Sequence, residues 1–267
     1  MVRPTALVNG VESPLDQASL AITDGGVQRG DGAFEAVGLW DAVPFRLDDH
    51  LARLDRSLAA IGLPPAPMEV LRKDIAQILD GQAGDGALRF YVTSTGSRIV
   101  SVTEPPVRTP LRRLRSQPAP WIRPLGTYGP ASAKTMSYGP NMAASRAAER
   151  AGADDALLVS LEDVVLEGPT FAVMWVRDGR VHAPALELGL VDSISRRTVL
   201  EIATGAGIPH ETGRYQLDDV LGADEVMTSS AVRPLVALEM IDGHRLPADA
   251  PVTARLAEGL VARRRGA

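Results

Sequence analysis

The sequence predicts an α/β fold, α+β in its use of hairpins, divided into two domains. Three observations predict it. Strand-like and helix-like patterns alternate in both halves of the 267 residues. Hairpin turns such as Arg177-Asp178-Gly179-Arg180 argue against a single parallel sheet. Prolines crowd the middle of the chain at Pro105, Pro106, Pro110, Pro118, Pro120 and Pro124 and mark a linker. The expected division is a smaller N-terminal α/β domain over 1–115, a linker over 116–124 and a larger C-terminal domain over 125–267.

Each element has its own signal. Residues 5–9 read as a first strand, and Asp24-Gly25-Gly26 as a turn. The stretch from Val27 to Trp40 carries Gly30-Asp31-Gly32 and becomes strand-like in its second half. Its glycines lack the spacing of a dinucleotide or phosphate-loop fingerprint. Residues 48–62 form a helix, with Leu51, Leu54, Leu58 and Ile61 at helical spacing and Gly62 and Pro64 to end it. Arg53 lies off that leucine stripe and reads, on pattern alone, as a surface charge. A second helix covers 68–79, with Val70, Leu71, Ile75, Ile78 and Leu79 on its apolar side. Residues 87–96 read as a strand.

In the second half, 140–151 is an Ala-rich helix stopped by Gly152. Strands follow at 155–160, 164–167 and 171–176. Ser193 can N-cap a helix reaching about 204. A strand from Glu225 leads into Thr228-Ser229-Ser230-Ala231, read as a hydroxyl-rich turn. Pro251 opens a last amphipathic helix.

Composition narrows the function. The net charge is −5 and the basic runs are short, which argues against a nucleic-acid partner. No stretch approaches the roughly 20 apolar residues of a membrane span. The first residues show no leader pattern, so a cytoplasmic protein is expected. There is no Cys, which excludes disulfides, thiolate metal sites and Cys nucleophiles. The four His residues are far apart in sequence, and no metal site is expected.

The cations are the most informative feature. Of 28 Lys plus Arg, only Lys73 and Lys134 are lysines. Arg cannot give up its proton or condense with a carbonyl, and Lys can do both. Lys73 sits on the polar side of its helix and reads as a solvated charge. Lys134 lies among Ala133, Thr135, Met136 and Ser137, with no acid nearby. A desolvated amine there is suited to carbonyl chemistry.

These residues carry a resemblance. Gly30-Asp31-Gly32-Ala33-Phe34-Glu35, His50-Leu51-Ala52-Arg53-Leu54, Lys134-Thr135 with Tyr138 and Asn141, Glu167-Gly168, Ser193-Ile194-Ser195-Arg196 and Thr228-Ser229-Ser230 stand in the order of the class IV aminotransferases. This is the family of pyridoxal 5′-phosphate (PLP) fold type IV. It includes branched-chain and D-amino-acid aminotransferases, (R)-selective amine transaminases and aminodeoxychorismate lyases. The resemblance covers nearly the whole chain and implies a two-domain fold type IV architecture with a PLP-binding C-terminal domain.

It also implies roles. Lys134 would hold PLP covalently and move the proton at the substrate carbon. Glu167 would keep the pyridine nitrogen protonated, and Arg53 would pair with the phosphate. The N–H groups of Ile194 and Ser195, with Ser229 and Ser230, would complete the phosphate cup. Tyr138 would bond the ring hydroxyl oxygen, and Val191 would pack on the ring. Phe34 would line the substrate side. The sequence has Ser193-Ile194-Ser195-Arg196 where the family usually has Gly-Ile-Thr-Arg, and Ala172 where Asn is common. The usual substrate-carboxylate Arg is missing from Val92-Thr93-Ser94-Thr95-Gly96, which leaves Arg98 as the nearest candidate.

Glu35 directly after Phe34, and Tyr138 in place of the lyases' Arg, favour transamination over lyase chemistry. The expected reaction moves an amino group from a D-amino acid, with tolerance for (R)-primary amines, to a 2-oxo acid acceptor. The alternatives are a 4-amino-4-deoxychorismate lyase and a branched-chain L-amino-acid aminotransferase. The resemblance further implies a homodimer.

Overall fold

The structure, a computed structural model, describes residues 1–105, 110–119 and 132–266. The chain forms two compact units, Met1–Val107 with Ser132–Tyr138, and Arg108–Ala131 with Gly139–Ala267.

The first unit contains β1 (Thr5–Val8), β2 (Val11–Pro14), α1 (Gly25–Arg29), β3 (Gly32–Trp40), β4 (Val43–Pro44), α2 (Leu47–Ala60), α3 (Met68–Leu79), β5 (Gly86–Thr93) and β6 (Arg98–Thr103). Its strands form one sheet in the order β2-β1-β6-β5-β3-β4. Strand side chains alternate between faces. Val37, Leu39, Leu88, Phe90, Val92, Val100 and Val102 therefore share one face, where they pack on Leu51, Leu54 and Leu58 of α2 and Leu71, Ile75 and Ile78 of α3. Each such aliphatic side chain contributes about 1.5–3 kcal/mol by leaving water.

Two local expectations change in this unit. Asp24, read as part of a turn, is the N-cap of α1, its side chain accepting the Gly26 N–H at 2.8 Å. Val70, placed on the apolar side of α3, is 40% exposed. The buried stripe of that helix is Leu71, Ile75 and Ile78, while Lys73 projects into solvent.

The second unit contains β7 (Arg113–Pro118), α4 (Gly139–Arg150), β8 (Asp155–Val159), β9 (Ala172–Arg177), β10 (Arg180–Pro184), α5 (Ile194–Gly205), β11 (His210–Gly213), α6 (Leu217–Leu221), β12 (Glu225–Ser230), β13 (Arg233–Ala237), β14 (Met240–Ile241), β15 (His244–Arg245) and α7 (Pro251–Arg264). One sheet runs β11-β10-β9-β12-β13 and the other β15-β14-β7-β8. β9 reads as an unbroken apolar run because both of its faces are covered. Val173 and Trp175 enter a core with Leu114, Leu157 and Val159. Met174 and Val176 enter a second core with Val199 and Ala203 of α5 and Leu256 and Leu260 of α7.

α7 is fixed at its start by a buried acid. Glu225 accepts the N–H groups of Val252 and Thr253 at 2.9 and 2.7 Å and the Thr253 hydroxyl at 2.6 Å. These satisfy donors that a helix start leaves without an intrahelical acceptor.

The expected domain boundaries differ from the observed division. Residues 116–118 of the expected linker belong to β7, where Ser116 and Gln117 pair with Leu157 and Leu158 of β8. Only Leu114 is buried between exposed Arg113 and Arg115, so the strand gives a weak pattern beneath a strong proline signal. Pro106 and residues 120–124 of that linker, with Pro120 and Pro124, lie outside the described residues. Ser132–Tyr138 belongs to the first unit rather than to a C-terminal domain beginning at 125. The expected strand 164–167 makes only isolated bridges, Val159 with Val165 and Val164 with Gln216. Ser229 and Ser230, expected in a turn, end β12.

Candidate active site

The expected site residues fall into two groups, one in each unit. In the first unit, the Lys134 segment is held against β3 by its backbone. Phe34 N–H donates to the Lys134 carbonyl at 3.0 Å, Met136 N–H donates to the Gly32 carbonyl at 2.9 Å, and Ala33 bridges Thr135. The Lys134 N–H donates to Ser57 Oγ of α2 at 3.0 Å.

The glycines of Gly30-Asp31-Gly32 make this approach possible. A Cβ on Gly32 would stand 2.5 Å from the Val92 carbonyl oxygen and 2.8 Å from Met136 Sδ. One on Gly30, at φ +65°, would stand 2.9 Å from Ser137 Oγ. The motif is thus a bed for the lysine segment.

The Lys134 side chain is half-buried. Its Nζ donates to the Tyr138 hydroxyl at 3.0 Å and lies 4.3 Å from the Phe34 ring centroid. Phe34 stacks on Tyr91 at 5.4 Å and meets Tyr138 edge-on at 5.1 Å. Burial raises the Tyr91 pKa, opposed by the charge of Arg89. An amine, a phenol and an aromatic wall therefore share one face of the sheet.

The other face carries a group the sequence pattern hid. Arg53 is 6% exposed, not a surface charge. Its Nε and Nη2 donate to the two carboxylate oxygens of Glu35 at 2.7 and 2.6 Å, and His50 Nδ1 lies 2.7 Å from Glu35 Oε2. Burial of Glu35 works against its charge, but the Arg53 charge and the bonds from Arg53 and His50 outweigh that and hold its carboxyl down at about 2. Burial lowers the His50 pKa, against the pull of Glu35. The available signal was an acid inside an apolar strand together with His50 and Arg53 three residues apart on one helix.

Register corrects the expectation for Arg98. Arg98 pairs with Val92, which faces the helices, while Phe34, Tyr91 and Ile99 pair across the opposite face. The Arg98 Nε donates to Asp74 of α3 at 2.9 Å. Arg98 therefore ties β6 to α3 and does not stand on the face of Phe34. Besides Lys134, Arg89 stands on that face, opposite Ala36, and donates to Thr103 Oγ1 at 3.2 Å.

In the second unit the hydroxyls gather at the start of α5. Ser193 caps this helix, accepting the Arg196 N–H at 3.2 Å, and Ile194 and Ser195 open it. Such a start is suited to an anion. Ser195 Oγ bonds Ser229 Oγ and donates to the Ser230 carbonyl at 3.3 Å. Ser229 lies where β12 shifts register against β13, between Thr228 and Ser230.

Glu167 and Val191 are half-buried in the same unit. The Glu167 carbonyl accepts from Leu158 N–H at 2.9 Å. Arg196 is buried, which lowers its pKa, and the charges of Asp192, Glu187 and Glu167 oppose that effect. Gly168 cannot carry a side chain, since a Cβ would meet the Phe171 ring at 2.1 Å. Among the described residues no group of His, Asp and Glu could hold a metal ion. None of their helices is long and apolar enough to cross a membrane.

The sequence model of the amino-transferase class IV family matches residues 32–241. The chain is 25% identical to a D-alanine aminotransferase of Bacillus licheniformis over 92% of this chain and 91% of that one. It is 26% identical to an aminodeoxychorismate lyase of Bacillus subtilis over 88% and 86%. Among solved structures, a fold IV-transaminase of Curtobacterium pusillum superposes with a TM-score of 0.88 at 30% identity, covering 98% of each chain. The chain therefore belongs to the class IV aminotransferases and is a PLP-dependent enzyme of fold type IV.

Proposed function

We propose that this enzyme is a cytoplasmic homodimer that transfers an amino group from D-amino acids, and from (R)-primary amines, to a 2-oxo acid. The observation that carries the reading is the Lys134 amine, 3.0 Å from the Tyr138 hydroxyl and against the Phe34 ring. Each unit holds groups that suit PLP: a lysine amine and a phenol in the first, and a carboxylate and buried hydroxyls at a helix start in the second. When bound, PLP supplies an electron sink for the carbanion at the substrate carbon.

The chain's own groups do the rest. Lys134 holds the cofactor and then carries the proton at the substrate Cα, as general base and general acid. Tyr138 orients the lysine amine and would bond the ring hydroxyl oxygen. Glu167 keeps a proton on the pyridine nitrogen. Ser195, Ser229, Ser230 and the N–H groups of Ile194 and Ser195 would hold the phosphate, and Val191 would pack on the ring. Arg53, its guanidinium oriented by Glu35, would pair with the phosphate. Phe34 and Tyr91 wall the substrate side, and Arg89 is the cation we assign to the substrate carboxylate in place of Arg98. Support for the D-series comes from the D-alanine aminotransferase relative. Support for transfer over elimination comes from Tyr138 and from Glu35 following Phe34.

The test is a panel of D-alanine, D-glutamate, L-leucine, (R)-phenylethylamine and aminodeoxychorismate, scored by loss of the bound cofactor's absorption and by pyruvate release. D-amino acids and the (R)-amine should react, and Lys134→Ala should abolish both signals. Reaction with L-leucine alone, or pyruvate released only from aminodeoxychorismate, would overturn the reading. Light scattering giving the mass of one chain for the active enzyme would refute the homodimer.

A further inference from the structure

The last helix finishes in Arg263, Arg264 and Arg265, one of the short basic runs of the sequence. The structure treats the three differently. Arg263 and Arg265 are exposed, whereas Arg264 is 6% exposed. Its Nη2 donates to the Ser230 carbonyl at 2.6 Å and to Ser195 Oγ at 3.4 Å, and its Nη1 donates to the Arg233 carbonyl at 3.1 Å. Ser195 Oγ is itself the hydroxyl that bonds Ser229 and Ser230.

One planar guanidinium thus holds the first turn of α5 and the end of β12 in one arrangement. A fork of fixed geometry suits that task better than a flexible ammonium. The last turn of a helix also favours a cation through its carbonyl dipoles. Burial lowers the Arg264 pKa to about 10, which leaves the side chain charged at neutral pH.

α7 is therefore fixed at both ends to β12, by Glu225 at its start and by Arg264 at its finish. The two anchors differ in what they touch. Glu225 holds the helix alone, while Arg264 touches the serines. We propose that Arg264 is a positioning residue of the phosphate cup, fixing the Ser195 hydroxyl and the Ser230 carbonyl and lending the bound phosphate a positive charge through them. This rests on the reading that Ser195, Ser229 and Ser230 hold the cofactor's phosphate.

The experiment compares PLP with pyridoxal, which lacks the phosphate, by fluorescence titration of the cofactor-free protein. Arg264→Gln should weaken PLP by about tenfold, through the loosened serines, and leave pyridoxal unchanged. Arg264→Lys keeps the charge but not the fork, so it should lose part of the PLP affinity and leave pyridoxal unchanged, while Arg263→Gln, on the exposed side, should match the parent. In thermal melts, inorganic phosphate should stabilise the parent and not Arg264→Gln. Equal losses for PLP and pyridoxal would reduce Arg264 to a packing residue, and unchanged PLP affinity in Arg264→Gln would overturn the proposal. If Arg264→Gln does not fold, Arg264→Lys decides: a loss shared by PLP and pyridoxal refutes the role, and a loss confined to PLP supports it. Ser195→Ala and Ser229→Ala separate the two readings. If neither changes PLP binding, the cup assignment fails. If they weaken PLP selectively and Arg264→Gln does not, only the role of Arg264 fails.

Discussion

Replacing Glu35 by Gln keeps the shape of the side chain and removes its charge. Glu35 is fully buried and accepts two bonds from Arg53 and one contact from His50. Its carboxyl ionises at about 2 in the folded chain, against 4.5 for an ordinary glutamate. That difference corresponds to about 3 kcal/mol of folding stability at neutral pH, at 1.36 kcal/mol per pH unit. It lies at the lower edge of the roughly 3–5 kcal/mol that breaking a buried ion pair costs. For a chain of this length it should lower the thermal midpoint by roughly 6–12 °C.

The sign of the pH dependence follows from the lowered pKa. The contribution is fully present above about 4.5 and is lost as the pH falls through about 2. The gap between parent and Glu35→Gln should therefore be widest near neutral pH and shrink to about half near pH 3.5. The assay is calorimetry of both cofactor-free proteins at the two pH values. Equal midpoints at neutral pH, or a gap that does not narrow in acid, would refute the reasoning.

Gly32→Ala places a methyl against the Val92 carbonyl and Met136, so it should displace the Lys134 segment; loss of covalently held cofactor in a folded variant, read by absorption, checks this. Arg98→Ala should lower stability by about 1–3 kcal/mol through Asp74 and leave the preference for D-alanine over (R)-phenylethylamine unchanged, whereas Arg89→Ala should narrow that preference. Glu225→Gln should loosen the start of α7, and hydrogen exchange at Val252 and Thr253 should quicken while Lys73→Gln leaves stability within about 0.5 kcal/mol of the parent.

Periodicity and caps made much of the secondary structure legible. α2, α3 and α5 stand within one or two residues of their expected ranges and α7 opens at the expected Pro251, because a leucine stripe, Ser193 as N-cap and Pro251 at the first turn are local signals. The scarcity of lysine singled out Lys134 before any fold was known. Other features depend on what an element packs against. On α2, His50, Arg53 and Ser57 form a polar stripe beside Leu51, Leu54 and Leu58, and both stripes are buried. Hydropathy marks the second stripe as core and the first as surface, since it does not register a polar group satisfied by a partner on another strand.

By itself the sequence determined the positions of the main helices, the lone lysine suited to carbonyl chemistry, and the family whose motifs recur in order. Tertiary structure decided which charges are buried and which sheet face each one occupies. Arg53 became an interior cation because Glu35 stands across from it, Arg98 was turned away from Phe34 by one residue of register, and Arg264 was drawn from an exposed run to the serines of β12 and α5. The physical reason is common to all three. Burying a charge is favourable only with a partner in place, and those partners lie 18, 24 and 34 residues away in sequence, beyond the reach of any local pattern.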